Sequence, residues 1–416
     1  MAGGPGTRTG YSGLRTGSNR LDWLVMTSAL LSALLEGIDR ALPDATALRR
    51  AIHAEPHLSG EEEPTRDAFE RSTEWLRWSP VAHSGAWARL GPTGPAVGLR
   101  AELDALPVTE VTGIEWASRR PGIMHACGHD VHLGALWAVL AAARDLELPV
   151  GLVPILQPRE EVSPSGAGDV VASGLLDDQE VEAMIGVHVQ PGVERGVVST
   201  GAGAVNAAFD EFEIIVRGRP GHGAYPHVAI DPILALADIV TAVAALPSRI
   251  IDPTHATVVS VGQISGGTAP NIIADEARCR GTLRTFSDAD RDLLHEAMTR
   301  TAESIALGRG AAATVRFIHG GPALVNDPGL VRRLDALLTG SGVTVAESPF
   351  RSCGSDDFGE YGLATASVMS FVGTGRVDGI GLHHGAFLPG REALRLAAHA
   401  FAAGYVAAAE SVLAQG

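Results

Sequence analysis

Short apolar runs and longer amphipathic segments alternate along the chain in two different orders. Before residue 205, apolar runs flanked by Gly and Pro predict buried strands, and apolar positions three and four residues apart predict helices. The strands are predicted at 96–102, 150–157 and 183–189, and the helices at 27–77, interrupted by Pro43, Pro56 and Pro64, at 132–146 and at 168–176. This alternation indicates an α/β unit with a parallel sheet, whose functional side chains lie at strand ends.

The order changes between residues 205 and 320. A strand, a helix, two strands, a helix and a strand are predicted at 210–216, 231–246, 256–264, 276–285, 288–306 and 312–318. This is the βαββαβ order of a ferredoxin-like α+β module. The α/β pattern resumes afterwards, with a helix at 329–338, strands near 344 and at 366–371, and an Ala-rich helix at 391–414. We therefore predict a discontinuous α/β domain, 27–204 and 321–416, into which a second domain, 205–320, is inserted.

The amino-terminal residues 1–26 are rich in Gly, Ser and Arg and are predicted to form a disordered extension, with a start at Met26 as the alternative. The apolar run at 29–35 continues into an amphipathic pattern and has no small-residue cleavage site after it. We therefore expect neither a signal peptide nor a segment that spans a membrane.

Charge and cysteine content narrow the classes of function. The formal net charge is -16 and no basic run is present, so a nucleic-acid partner is not expected. All 32 basic residues are arginine, which excludes lysine Schiff bases and P-loop lysines. Three widely separated cysteines do not form a disulfide framework, and they indicate a reducing, cytoplasmic location.

One segment concentrates groups that bind metals. Residues 124–132, MHACGHDVH, contain the thiol of Cys127 and the imidazole of His129. A thiolate and a neutral imidazole suit borderline-soft divalent ions such as zinc. A buried turn in which Cys127 is simply a small apolar side chain explains the segment equally well.

Further candidate ligands lie at other predicted strand ends. Glu160 and Glu161 follow the strand at 150–157 directly, so that one can bind a cation while the other faces a bound water. Alone, this pair indicates an acidic turn, and His188 alone indicates a core histidine. Considered together, five residues suit two neighbouring divalent ions: Cys127, His129, Glu161, His188 and His383.

Several segments resemble those of the metallo-amidohydrolases of peptidase family M20, subfamily D, which includes aminoacylases, hippurate hydrolases and auxin-conjugate hydrolases. The segments are RAELDALPVTE at 100–110, MHACGHDVH at 124–132, QPREE at 157–161, GVHVQPG at 186–192, GRPGHGAYPH at 218–227, GGTAPNIIADEARCRGTLRTF at 266–286, SDDFG at 355–359 and LHHGAF at 382–387. The resemblance implies a metallopeptidase-like catalytic α/β domain and an inserted lid and dimerisation domain. It also implies two divalent ions, zinc or manganese with cobalt or nickel as alternatives.

The resemblance implies a role for each candidate. Cys127, His129, Glu161, His188 and His383 become metal ligands, Glu160 the general base and then the acid, and Asp104 a residue that orients a ligand. His222 is the histidine that the inserted domain presents to the substrate, in many relatives across a dimer interface. Asn271 and Arg284 resemble residues that hold the substrate carboxylate or the oxyanion.

The implied activity is metal-dependent hydrolysis of N-acyl amino acids by a homodimer associated through the inserted domain. A dipeptidase or carboxypeptidase of the same family is the nearest alternative. A metal-binding or ligand-binding relative without turnover is the alternative from another class. No membrane partner is expected.

The chain departs from the family pattern at three places. Arg159 stands where relatives usually have Ala or Thr, which alters the charge expected at the mouth of the site. Glu102 replaces an aspartate. The segment LHHGAF replaces LHNPxF, so that His384 competes with His383 as the last ligand, and the register favours His383.

Overall fold

The structure is a computed structural model that describes residues 20–377 and 379–414, with side chains described from residue 26 onward. Most of the predicted extension, residues 1–19, lies outside the described residues. Residues 20–26, predicted to belong to that extension, instead form the start of the first helix.

Within the described residues the chain forms the following helices: α1 Arg20–Ala54, α2 Glu63–Ser72, α3 His129–Ala143, α4 Gly166–Ala172, α5 Leu175–Asp178, α6 Pro232–Ala245, α7 Pro247–Ile250, α8 Asp288–Gly308, α9 Pro328–Gly340, α10 Gly359–Ala364 and α11 Arg391–Leu413. The strands are β1 Ser79–Val81, β2 Gly85–Trp87, β3 Ala96–Glu102, β4 Gly151–Gln157, β5 Val181–Gln190, β6 Val197–Ser199, β7 Gly203–Asn206, β8 Ala208–Arg217, β9 Gly221–His222, β10 Thr257–Gly266, β11 Ile272–Ile273, β12 Glu276–Thr285, β13 Ala312–His319, β14 Leu324–Asn326, β15 Thr344–Val345 and β16 Ala366–Gly373.

The large sheet has the strand order β1-β2-β4-β3-β5-β16-β6-β15. Its central strands β4, β3, β5 and β16 are parallel. Helices α1, α3, α9 and α11 cover one face, and α4, α5 and α10 cover the other. Because both faces are covered, β3 and β4 are buried at every position, which explains their continuous apolar runs.

Helix α1 corrects one prediction, because it continues through Pro43 instead of ending there. A proline inside a helix costs about 3 kcal/mol, since it removes a hydrogen bond and crowds the preceding turn. The buried side chains of Leu34, Ile38 and Ile52 lie on both sides of this position in the core cluster shared with α3 and α11. Burial of a Leu or Ile side chain contributes about 1.5–3 kcal/mol, so this stripe outweighs the cost of the proline.

Helix α11 is a long apolar helix that is buried in the core. Of the described helices, it has the length and composition that a membrane span requires, and 72% of its apolar window is buried inside the fold. It packs against α1, α3 and the sheet, and its Tyr405 hydroxyl donates to the Val150 carbonyl at 2.8 Å.

The second sheet is antiparallel and has the order β10-β12-β8-β13. Helices α6 and α8 pack on it around a core that includes Phe212, Ile239 and Met298. The six predicted strands and helices occur in the predicted order, and the short elements β9, α7 and β11 between them were not predicted. The mixed α/β class predicted for the whole chain is confirmed.

Asp210, on β8, makes hydrogen bonds to α8 and to the segment that follows β13. Strands β8 and β13 are the first and last strands of the second sheet along the chain. The carboxylate accepts hydrogen bonds from Arg291 Nε at 2.7 Å, from His295 Nε2 at 2.8 Å and from the N–H of Gly320 at 3.0 Å. Burial alone raises the pKa of Asp210, but the hydrogen bonds from Arg291 and Gly320 outweigh burial and hold that pKa below its usual value. The ionised carboxylate therefore stabilises the junction.

Replacing Asp210 by asparagine is expected to lower the free energy of unfolding by about 1–3 kcal/mol, because Arg291 and His295 lose a charged acceptor. A lowered pKa stabilises the fold above the unfolded-state value of about 3.9, and this contribution is lost as pH falls through the folded-state value. Urea unfolding should therefore show a difference between wild type and variant at pH 7 that shrinks below about pH 4.

Asp238 provides the matched control, since its ion pair with Arg309 is nearly half exposed. Asp238→Asn should change the free energy of unfolding by less than about 1 kcal/mol. Equal, small effects of the two variants would contradict the role of Asp210 at the junction.

Candidate metal centre and active site

The candidate site lies where three parallel strands of the large sheet end. Strand β3 ends at Glu102 and is followed by Asp104, β4 leads into Glu160 and Glu161, and His188 lies near the end of β5. The carboxyl ends of parallel strands meet at one edge of an α/β sheet, which is where such folds bind ligands. Side chains distant in sequence therefore converge there.

A glycine places two further candidate ligands beside this edge. Gly128, just before α3, has φ of 90°, a left-handed conformation. A Cβ at this position would lie 2.3 Å from Cγ2 of Val189, so the backbone also approaches β5 too closely for another residue. The turn brings Cys127 and His129, on either side of Gly128, to the end of β5.

The first group of candidate ligands comprises Cys127, His129 and His188, whose ligand atoms all lie within 4.8 Å of one another. Cys127 Sγ is 3.4 Å from His188 Nε2. The Nδ1 atoms of His129 and His188 each lie 2.8 Å from a backbone carbonyl, those of Asp104 and Val189 respectively. Each ring therefore donates through Nδ1 and leaves Nε2 free to bind an ion, the usual arrangement of histidine ligands.

The second group comprises Cys127, Glu161 and His383, within the same distance limit. His383 Nε2 lies 3.3 Å from Glu161 Oε1. His384 is engaged differently, because its Nδ1 accepts the N–H of Ala386 at 3.0 Å within its own loop. This geometry favours His383 over His384 as the last ligand, in agreement with the register of the sequence.

Buried atoms without partners show whether these residues fit a cation. Among the described residues, the buried His129 Nε2 has no hydrogen-bond partner, and the 3.3 Å contact of the buried Glu161 Oε1 with His383 Nε2 does not have hydrogen-bond geometry. An unsatisfied buried polar group costs about 1–3 kcal/mol, and a cation between the two ligand groups would remove that cost. A thiol, three imidazoles and a carboxylate also match the ligand preference of divalent transition-metal ions. The residues therefore fit a metal centre.

The charge around Cys127 supports the same conclusion. Burial and the neighbouring carboxylates Glu161 and Glu160 raise the pKa of the Cys127 thiol well above its usual value. A bound cation reverses this effect, because a thiol that coordinates a metal is deprotonated. Metal binding should therefore release a proton from this thiol.

Glu160 lies beside the first ligand group and belongs to neither group described above. Its side chain is 9% exposed, and its Oε2 is 3.9 Å from His129 Nε2. Burial raises the pKa of Glu160 well above its usual value, and the nearby carboxylates of Asp356, Glu161 and Asp357 raise it further. A buried carboxyl group with a raised pKa, next to a metal centre, is suited to accept and return a proton.

Asp104 connects the two ligand groups. Its Oδ2 accepts hydrogen bonds from Ser59 Oγ at 2.8 Å and from the N–H of Glu161 at 3.0 Å, while its backbone carbonyl bonds the ring of His129. These contacts hold one ligand of each group in place. Such contacts are those expected of a residue that orients metal ligands, the role that the resemblance implies for Asp104.

A buried ionic network behind the ligands was missed at the level of sequence. Arg100 is fully buried on β3 and donates to Glu102, to Asp357 at 2.6 Å and to Asp356 at 3.2 Å. Glu102 in turn accepts from His132 Nδ1 at 2.8 Å. The sequence did contain a sign of this network, since Arg100 and Glu102 lie in a strand that was predicted to be buried. Buried charges require partners of opposite charge.

Arg159 does not add positive charge to the mouth of the site, contrary to the expectation from sequence. Its guanidinium forms an ion pair with Asp169 and donates to the carbonyl of Pro164 at 3.3 Å. Its backbone N–H donates to Glu62 at 2.9 Å. The side chain therefore fixes the loop after β4, and its charge is neutralised by Asp169.

A cavity of about 260 Å³ opens beside the ligands and Glu160. The residues that complete its lining, beyond the candidate ligands and Glu160, are Gln190, Asn206, Ser352, Gly354, Ser355, Asp356, Phe371 and Leu382. The cavity therefore brings the metal-ligand groups and the candidate base next to one wall. That wall has polar and apolar parts, as the walls of small-molecule sites usually do.

The three candidate substrate-binding residues do not come together within one chain. Arg284 Nη1 donates to the carbonyl of Cys353 at 2.8 Å, in the loop that lines the cavity. His222 pairs with Ile272 across β9 and β11, and the carbonyl of Asn271 accepts the N–H of Gly223 at 2.8 Å. This pair lies beyond the opposite end of β12, which is about 30 Å long at about 3.3 Å per residue. His222 and Asn271 are therefore distant from the cavity edge that Arg284 contacts.

Known proteins resemble this chain over most of its length. N-acetylcysteine deacetylase of Bacillus subtilis is 33% identical over 366 residues, which cover 85% of this chain and 94% of that protein. N-acyl-L-amino acid amidohydrolase of Geobacillus stearothermophilus is 36% identical over 297 residues, 70% of this chain and 80% of that protein. Among solved structures, a dinuclear metal binding peptidase from M20 family of Bacillus subtilis is 31% identical, with a TM-score of 0.78 over 88% of this chain and 98% of that chain.

The family model described as peptidase family M20/M25/M40 matches residues 98–404. That range includes both candidate ligand groups, Glu160 and the second sheet. It confirms the family that the motifs predicted. The chain therefore belongs to peptidase family M20/M25/M40 and is a hydrolytic enzyme of that family.

Proposed function

We propose that the protein hydrolyses the amide bond of N-acyl amino acids in a metal-dependent reaction that releases a carboxylic acid and an amino acid. The observation that carries this proposal is the convergence of the two ligand groups on one cavity, with Glu160 beside them. The relatives that act as amidohydrolases and deacetylases support amide hydrolysis.

Two divalent ions are proposed to bind, one at each ligand group, with zinc or manganese favoured and cobalt or nickel as alternatives. When bound, such ions polarise a scissile carbonyl and lower the pKa of the attacking water. Glu160 takes the proton of this water and delivers it to the leaving amine, a role worth about 10²–10⁴-fold in rate. Its burial among carboxylates favours holding the proton between these two steps.

Arg284 is proposed to bind the substrate carboxylate, for which a guanidinium offers a bidentate grip. Its contact with the carbonyl of Cys353 places it at the loop that lines the cavity. His222, which would stabilise the oxyanion, and Asn271 are proposed to act from a second copy of the chain, because the length of β12 separates them from this loop within one copy.

The proposed homodimer associates through the inserted unit. Strand β10, Thr257–Gly266, is an edge of the second sheet and is exposed along its second half. Nearby apolar side chains are also exposed, among them Ile264 at 61%, Leu234 at 54% and Ile272 at 50%. An unpaired strand edge flanked by exposed apolar side chains is suited to pair with its own copy.

Mixing two inactive variants is expected to restore activity if His222 acts across this interface. Glu160→Gln and His222→Ala should each be strongly impaired alone. After subunit exchange between them, half of the dimers are hybrids, and each hybrid has one complete site. The mixture should therefore recover roughly a quarter of wild-type activity. The mass in solution should be that of a dimer. A monomeric mass, or no recovery after verified exchange, would contradict the arrangement.

The substrate class is tested with metal-loaded protein and two panels, N-acetyl and N-benzoyl amino acids against dipeptides with a free amino terminus. We expect kcat/KM for the acylated amino acids to exceed that for matched dipeptides by about tenfold or more. The reverse preference would support the dipeptidase or carboxypeptidase alternative. If the protein binds compounds of either panel but hydrolyses none, the result would support the alternative that this chain is a metal-binding or ligand-binding protein without turnover.

A further inference from the structure

The side chain of Asn206 lines the cavity that contains the ligand groups and Glu160. It is 8% exposed, and its Oδ1 is buried without a hydrogen-bond partner among the described residues. Leaving a buried amide oxygen unpaired is unfavourable, so a structural role alone does not explain this residue. A polar group that enters the cavity would remove the cost.

The backbone explains why Asn206 faces the cavity. The N–H of Ser352 donates to the carbonyl of Val205 at 2.9 Å, and the N–H of Ala207 donates to the carbonyl of Ser352 at 3.2 Å. Val205 and Ala207 are fully buried, and Val205 packs in the core with Phe358. Because side chains alternate along an extended segment, the side chain between them points the opposite way.

The same loop indicates which part of a substrate Asn206 meets. Ser352, whose backbone pairs beside Asn206, is followed by Cys353, whose carbonyl accepts the hydrogen bond from Arg284. Arg284 is the residue proposed to hold the substrate carboxylate, so the amino-acid half of the substrate lies on this side. Phe371 and Leu382 supply the apolar part of the cavity wall.

The geometry points to Asn206 as a specificity-determining residue that hydrogen-bonds a polar group on the side chain of the substrate's amino acid. The inference rests on the proposed hydrolysis of N-acyl amino acids and adds a preference for short side chains that carry a hydroxyl or similar group. A hydroxyl both donates and accepts, so it satisfies either end of the amide. An alkyl side chain of the same size leaves the amide unpaired.

Two isosteric substrate pairs test the preference: N-acetylhomoserine against N-acetylnorvaline, and N-acetylserine against N-acetyl-2-aminobutanoate. In wild type, kcat/KM should favour the hydroxyl member of at least one pair by about tenfold. Asn206→Leu, which keeps the shape but removes both polar atoms, should bring that ratio to about one. Asn206→Asp, which keeps an acceptor, should retain the preference.

Thermal unfolding and bound-metal content of each variant, compared with wild type, separate loss of recognition from loss of folding. An unchanged ratio in Asn206→Leu, the absence of a hydroxyl preference in wild type, or its loss in Asn206→Asp would each overturn the assignment. If metal-loaded wild type hydrolyses none of the four substrates, the proposed function fails together with this inference. If it hydrolyses them and only the ratios disagree, the role of Asn206 alone is wrong.

Discussion

Replacing Glu160 by glutamine is expected to lower kcat by about 10²–10⁴-fold while the bound-metal content stays that of wild type. Glutamine has nearly the same shape but cannot accept the proton of the attacking water. Glu160 belongs to neither proposed ligand group, and its Oε2 lies 3.9 Å from His129 Nε2. The loss should therefore fall on the chemical step and leave metal binding intact.

The neighbouring carboxylate provides the control. Glu161→Gln should lose metal as well as activity, because Glu161 belongs to the group with Cys127 and His383. Elemental analysis of the purified variants, together with steady-state kinetics, distinguishes the two. Wild-type turnover by Glu160→Gln, or a loss of metal equal to that of Glu161→Gln, would contradict the role assigned to Glu160.

Replacing Cys127 by serine is expected to weaken both metal sites and reduce turnover to background. Cys127 is the one residue common to the two ligand groups described here, one with His129 and His188 and the other with Glu161 and His383. His383→Ala removes a ligand from the second group alone, so it should release about one of two bound ions. The number of ions that each variant retains therefore shows which residues bind which of the two ions.

Cys279→Ser is the matched control for the cysteine, because Cys279 is equally buried but lies in the core of the second sheet. It should keep two ions per chain and wild-type activity. Equal metal loss in Cys127→Ser and His383→Ala would show that the thiol is not shared between the sites. Full metal retention in Cys127→Ser would remove it from the ligand set.

Local pattern was sufficient for most of the fold. The apolar run at 96–102 and the run at 150–157 became β3 and β4 because strands buried on both faces tolerate few polar residues. The βαββαβ order from 205 to 320 followed from the alternation of strand and helix periodicity. Pro43 was misjudged because burial of α1 against two other helices exceeds the local cost of a proline.

The site was only partly accessible from sequence. Residue type and position near strand ends were enough to select the ligand candidates, because parallel strands bring their carboxyl ends to one edge. The partners of Arg100 were not accessible, since Asp356 and Asp357 lie more than 250 positions away and only the tertiary fold brings them into contact. The separation of His222 from Arg284 depends on the course of β12 and was likewise invisible in a linear motif.

The central claim is that this chain hydrolyses N-acyl amino acids through a metal centre built on Cys127, His129, Glu161, His188 and His383. The most direct test is the hydrolysis of N-acetyl amino acids by metal-stripped protein, before and after zinc, manganese, cobalt or nickel is restored singly. The account predicts no turnover by the stripped protein and recovery of turnover with at least one ion, as two equivalents bind per chain. Undiminished hydrolysis by protein shown to contain no metal would contradict it.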